Sequence, residues 1–286
     1  MGIALGLAAA LSWGLADYFA ALSSRRAGAL RVVLGFHVVA TALLAIVLFA
    51  SGGGLSNLTG GDVAWFAFIG ALGWFSYLAF YRALAIGPIS IVSPIVSAYA
   101  AVTVLCAVLI AGERLSADEV LAVAIALLGV LLASSDLAQI RAIERVAALA
   151  IVLALAAAVT IGAFVYGIAH FSDQYGWLVP IFLARAFSTV FILGTALRGG
   201  TWRLPHRSLG LVAMIGFVVV VDTIGYIAFN FGVRHADTSI VATASAPYSI
   251  VPIIAGVALM GERPTPTQWT GVGLVIAGLV LLGLVA

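Results

Sequence analysis

Apolar stretches of about 20 residues, the length that crosses a hydrocarbon core, recur along the whole chain. Ten can be marked, at 2–22, 30–50, 62–85, 88–111, 117–135, 146–170, 177–197, 208–234, 237–260 and 267–286. The segments between them are short and hold most of the charge and turn residues, as in SSRRAGALR after the first span, SGGGLSNLTGGD after the second and GERLSADE after the fourth. This pattern predicts an all-α membrane protein with ten transmembrane helices, a re-entrant segment being the alternative for any one of them. The first stretch has no charge before Asp17 and is as long as a full span, so it reads as the first helix and not as a cleaved signal.

The pattern repeats at an offset of 149 residues. YLAFY (Tyr77 to Tyr81) lies over YIAFN (Tyr226 to Asn230), SIV at Ser90 over SIV at Ser239, Tyr99 over Tyr248, and GER at Gly112 over GER at Gly261. The chain therefore divides into two five-helix repeats, 1–140 and 141–286, forming one integral membrane unit. An odd number of spans per repeat sends the second half into the membrane upside down, and such inverted repeats suit alternating access.

Composition sharpens this reading. Hydrophobic residues make up 64% of the chain and charged residues 8%, against about 25% charged in a soluble domain. Lipid must therefore be its solvent. All 13 basic residues are arginine and form no basic tract, which argues against a nucleic acid partner. Arg25, Arg26, Arg31, Arg82, Arg141, Arg145, Arg198, Arg203, Arg207 and Arg263 follow the odd-numbered spans, whereas only Arg114 and Arg234 lie on the other side. The positive-inside rule then puts the odd loops in the cytoplasm of a multi-pass inner-membrane protein and both termini outside. The single cysteine, Cys106, reads as a small packing residue. The sequon at Asn57 is one loop match and carries little weight.

Ionisable side chains within spans are costly and usually face the bundle interior or a cavity. Asp222 sits mid-span in the eighth stretch, with Tyr226 and Asn230 at i+4 and i+8 on the same face. The matching face of the third span carries Gly73, Tyr77 and Tyr81. Such a lining could bind a cation or take a proton through Asp222; the alternative is a structural carboxylate bonded to a neighbouring helix. Asp17, one turn after Trp13, offers charge beside an aromatic face, or else reaches the interface to pair with Arg25 or Arg26. Arg185 in the seventh span could hold an anionic substrate group or simply neutralise Asp222. His37 in the second span is a further proton-coupling candidate or a hydrogen-bonded packing residue. Tyr99 and Tyr248 are repeat mates flanked by Ser93, Ser97, Ser245 and Ser249, in helices interrupted by Pro94, Pro247 and Pro252. Interruptions of this kind line sites or hinges in carriers. Glu113 and Glu262 of the GER copies read as structural, pairing with the adjacent arginine or satisfying the following helix start. Gly2 with Gly6, Ala122 with Ala126, and Gly271 with Gly278 favour close helix packing within one chain or between two, so a monomer and a homodimer both stay open. There is no phosphate loop, metal-spaced ligand set or nucleophile elbow, so no enzyme, metal or cofactor is indicated, and the absence of a nucleotide site favours a carrier driven by gradients.

Ten short-looped spans in two repeats, ALSWGLADYFAA in the first, and GER closing the fourth and ninth before a glycine-rich last span resemble the EamA-type branch of the drug/metabolite transporter superfamily. The resemblance covers essentially the whole chain. It implies a central cavity lined by helices one to four and six to nine, and movement of amino acids, amines, nucleobases or drugs. Members usually keep both termini in the cytoplasm, opposite to the arginine distribution here. An acid followed by YIAFN (Asp222, then Tyr226 to Asn230) is also similar to the corresponding region of bacterial choline importers of the superfamily. The expectation is a secondary transporter of a small amine- or amino-acid-like solute, with a proton coupled through Asp222 or Asp17. The competing class is a non-transporting membrane sensor or assembly partner; a membrane-embedded enzyme acting on lipid would need clustered catalytic residues that these sparse ionisable groups do not supply.

Overall fold

The computed structural model describes residues 1–55, 58–87, 89–133, 145–200, 209–251 and 265–285, and of residues 90, 91, 94 and 145–147 the backbone alone. Asn57, Arg141, Arg203, Arg207, Pro252, Glu262 and Arg263 lie outside the described residues, as do the side chains of Pro94 and Arg145 and the boundary between residues 140 and 141.

Among the described residues every regular element is helical. The first repeat forms α1 (Gly2–Ala27), α2 (Ala29–Ala50), α3 (Gly60–Ile86), α4 (Ile89–Ser97), α5 (Tyr99–Cys106) and α6 (Ala117–Ala133). The second forms α7 (Arg145–Ala169), α8 (Leu178–Arg198), α9 (Leu209–Gly232), α10 (Thr238–Ser245) and α11 (Pro266–Val285), with a single turn at Ser172–Tyr175. Seven of these, α1, α2, α3, α7, α8, α9 and α11, are long and apolar enough to cross a membrane, and shorter apolar helices accompany them. A hydrocarbon interior leaves backbone groups no partner but each other, which is why these stretches coil.

Two predicted spans are not continuous α-helices. In the fourth, α4 ends at Ser97, α5 restarts at Tyr99 and runs into a π turn at Ala107–Ala111. In the ninth, α10 tightens into a 3-10 turn at Ala246–Ser249, where Pro247 has no amide hydrogen to give. Residues 97–100 and 246–249 are repeat equivalents, so both breaks fall at one place in the repeat. The first helix runs five residues past its expected end. Hydropathy stops at Arg25 and Arg26, but two arginines in a last turn complement the helix dipole.

Helix starts carry reciprocal caps. Thr59 and Asp62 bond to each other's backbone amides at the start of α3. Ser116 with Glu119 does the same at α6, and Thr265 with Gln268 at α11, one repeat apart.

Packing partners exchange between the halves. α1 packs on α9 and α10, and its repeat mate α7 packs on α3, α4 and α5. α2 meets α8, α5 meets α10, and α6 meets α11. The inward face of α1 is mostly small or polar: it buries Gly2, Gly6, Ala9, Trp13, Gly14, Asp17 and Ala20 while Leu7, Leu11, Leu15 and Tyr18 are exposed. This polarity is the reverse of a soluble bundle, because lipid solvates leucine but backbones must approach closely to pack. The α6–α11 contact shows it: a Cβ on Gly129 would lie 2.5 Å from the Val275 amide nitrogen, and one on Gly278 2.5 Å from that of Ala126. Gly6 meets α10, where a Cβ would sit 2.6 Å from that of Ala244. The three small-residue pairs thus serve contacts within the chain.

The face that carries the N-terminus holds bonds between the halves. Gly112, with φ 73°, ends the π turn in a left-handed conformation that suits glycine, and the next residue, Glu113, reaches the start of α10. Its carboxylate accepts from the amides of Thr238 (3.0 Å) and Ser239 (3.1 Å) and from the Ser239 hydroxyl (2.6 Å). The helix it satisfies is therefore one of the other half and not the one that follows it. Tyr175 donates to Asp62 at 2.7 Å, which pushes the tyrosine hydroxyl above its ordinary pKa.

Candidate functional site

The breaks in α4–α5 and after α10 lie beside the mid-regions of α1, α3, α7 and α9, and a cavity opens there. It encloses about 490 Å³ of atom-free space, part of it open to the exterior, and is lined by Trp13, Ala16, Asp17, Tyr77, Phe80, Tyr81, Val96, Tyr99, Ile161, Val165, Asp222, Tyr226 and Tyr248. Both halves contribute. Eight of the ten substrate-site residues expected from sequence are among these. Ala16, Phe80, Val96, Ile161 and Val165 were missed, since an apolar residue facing a cavity has the same sequence signature as one facing a neighbouring helix.

One wall is an ion-pair network. Arg185 of α8, 1% exposed, pairs with Asp222 of α9 through Nη2 and Oδ2. The same Nη2 donates to the Tyr77 hydroxyl at 3.0 Å. Tyr77 in turn lies 3.1 Å from the hydroxyl of its repeat mate Tyr226 and 3.5 Å from Asp222 Oδ1. The guanidinium carbon sits 4.8, 5.1 and 4.7 Å from the ring centres of Phe36, Tyr77 and Tyr226. Of the two roles open to Arg185, neutralising Asp222 is the one its contacts express. Arg185 does not itself line the cavity.

The opposite wall is simpler. Asp17 is 6% exposed and accepts from the Ser93 hydroxyl at 3.2 Å. It does not reach the arginines at the end of its helix: Arg25 donates to the carbonyls of Leu84 (3.2 Å) and Gly87 (2.8 Å). Trp13 lies edge-on to Tyr226 at 5.0 Å and Tyr99 at 6.0 Å, its indole nitrogen without a hydrogen-bond partner. A Cβ on Gly225 would fall 2.5 Å from that nitrogen, so only glycine leaves room for the ring. The Tyr99 hydroxyl is bonded to Ser245 (2.6 Å) and that of Tyr248 to the Ser93 carbonyl (3.3 Å), and the two rings are 5.9 Å apart.

Three further expected residues, besides Arg185, stand outside the lining. Asn230 bonds to the Tyr226 carbonyl at 3.0 Å and to Ser172 at 3.1 Å, because one further helical turn carries it past the cavity to the loop after α7. Gly73 packs against Phe164, where a Cβ would come within 2.6 Å. His37, fully buried, hydrogen-bonds the Val33 carbonyl at 3.1 Å and stands edge-on to Tyr77 at 4.6 Å, behind the network. Among the described residues no three His, Cys, Asp or Glu side chains cluster as metal ligands would.

The model of the EamA-like transporter family matches residues 1–135 and again 148–284. No curated protein sequence matches the chain. Among solved structures, one described as "Crystal structure of protein" superposes with a TM-score of 0.76 at 17% identity, covering 100% of this chain and 99% of the other. At that identity it speaks for the fold alone.

Proposed function

Because the chain belongs to the EamA-like transporter family, we propose that it is a secondary transporter that carries a small amine- or amino-acid-like metabolite by alternating access. In this reading it has ten transmembrane helices in two inverted five-helix repeats, and the cavity between them is the substrate site. The observation that carries the proposal is the cavity itself, at mid-helix, walled by residues of both halves and holding two buried carboxylates. Packing that exchanges partners between the halves supports it, since two interchangeable arrangements of equivalent elements can expose one site to either side in turn. The repeat-matched breaks at 97–100 and 246–249 supply backbone that is not locked in α-helix beside the site.

In this scheme solute enters from one face and lies against Trp13, Tyr81 and Asp17. The bundle then rocks about the cavity and releases the solute on the other face. Asp17 and Asp222 are the groups through which a proton is coupled, with His37 behind them. The protein sits in the cell membrane with its odd-numbered loops in the cytoplasm. The test is flux: purified protein in sealed vesicles is given labelled amines and amino acids with and without a pH gradient. Protein-dependent uptake of one class, stimulated by the gradient, is expected. Vesicles that take up no solute faster than protein-free ones would remove the transporter reading.

A further inference from the structure

We infer that the cavity selects an organic monocation lacking a carboxylate, a primary amine or quaternary ammonium, with Asp17 as its anchor. The inference rests on the transporter reading of the same site and narrows its substrate class. It comes from a charge ledger that the sequence leaves open and the contacts close.

Four ionisable groups are buried in and around the cavity: Asp17, Asp222, Arg185 and His37. The charge of Asp222 is cancelled by Arg185. Arg185 is committed as well. Nη2 serves Asp222 and Tyr77, while Nε and Nη1 have no hydrogen-bond partner and lie among the rings of Phe36, Tyr77 and Tyr226. His37 is covered by Phe36 and Tyr77. Among the described residues no cation lines the cavity, and Asp17 is the one carboxylate there without a counter-charge.

A carboxylate entering this space would be desolvated with no positive partner. It would face Asp17 and the electron-rich faces of tryptophan and tyrosine. The Tyr99 and Tyr248 hydroxyls are already engaged, with Ser245 and the Ser93 carbonyl, and the donors that remain on Trp13, Tyr81 and Tyr226 carry no charge to offset its own. Arg185 is 1% exposed and outside the lining, so to reach its unpartnered Nε and Nη1 the carboxylate would have to displace the rings packed on the guanidinium. A cation meets the reverse situation. Asp17 lines the cavity with one oxygen bonded to the neutral Ser93 hydroxyl, and Trp13 stands one turn away to contribute a cation–π contact. One uncompensated carboxylate suits one positive charge.

Purified full-length protein would be titrated by calorimetry with butylamine, phenethylamine, tetramethylammonium, phenylalanine and phenethyl alcohol. At least one cation is expected to bind, phenethylamine at least about tenfold more tightly than phenylalanine or the alcohol. Asp17→Asn should abolish cation binding while eluting as the parent does in gel filtration, and Asp17→Glu should restore part of it. Phenylalanine binding as tightly as phenethylamine would overturn the inference and leave the transporter reading standing. So would binding by none of the cations, or cation binding that survives Asp17→Asn. Cation binding lost in Asp17→Asn, in a protein that moves no solute into vesicles, would support the site and sink the transporter reading.

Discussion

Arg185 is 1% exposed inside a bundle whose surroundings are hydrocarbon, and Asp222 is the acid that meets it. Removing one partner of such a pair strands the other charge, at a cost of about 3–5 kcal/mol, whereas replacing both with apolar residues of similar size is often neutral. Asp222→Asn should therefore lower the thermal unfolding midpoint of the detergent-solubilised protein sharply, and Arg185→Met with Asp222→Leu should recover most of it. Equal midpoints for Asp222→Asn and the parent would show that the pair does not hold α8 to α9. Both residues were legible as intramembrane charges, and neutralisation was one of the two roles open to Arg185. Sequence could not choose between them, because the choice depends on which helices are neighbours. Asp17 shows the same limit from the other side. Two arginines eight and nine residues further along its own helix were plausible partners, but they lie two turns away, where Arg25 caps the end of α3 and Arg26 meets Met214 of α9.

Among the elements, the helices that depart from regularity are the informative ones. The fourth and ninth stretches looked like uninterrupted spans by hydropathy, which does not register a change from α to 3-10 or π hydrogen bonding. Pro247 was the readable sign in the ninth, and the coincidence with residues 97–100 became visible only in the backbone. The paired caps Ser116–Glu119 and Thr265–Gln268 were readable too, being a hydroxyl followed three residues later by Glu or Gln. Glu113 was not, since its target lies 125 residues away. A carboxylate at a helix N-terminus contributes about 0.3–2 kcal/mol. Glu113→Gln should accordingly speed hydrogen exchange at the Thr238 and Ser239 amides severalfold, leaving the Ser116 cap unaffected. Unchanged exchange at those two amides would mean that the contact does not hold the start of α10.

At the scale of the molecule, repeat mates converge. Tyr77 and Tyr226 touch through their hydroxyls, and Tyr99 and Tyr248 stand ring to ring, both pairs one repeat apart. If the two repeats are related by the proposed pseudo-two-fold, such mates can meet only near its axis, and these contacts fall where the halves join. The arginine distribution gives a prediction at this scale: a C-terminal alkaline phosphatase fusion should be active and a C-terminal green fluorescent protein fusion dark, since both termini would lie outside. The opposite pattern would reverse the orientation. The sequence by itself determined the solvent, the helical class, the duplication and most of the residues that surround the cavity. Those follow from composition, period and repeat, which are properties of one strand of text. The tertiary structure alone decided that Asp222 is spent on Arg185, that Asp17 meets Ser93 and, among the described residues, no cation, and that Asn230 turns to the loop. Each of those outcomes depends on the distance between side chains on different helices, which only packing sets.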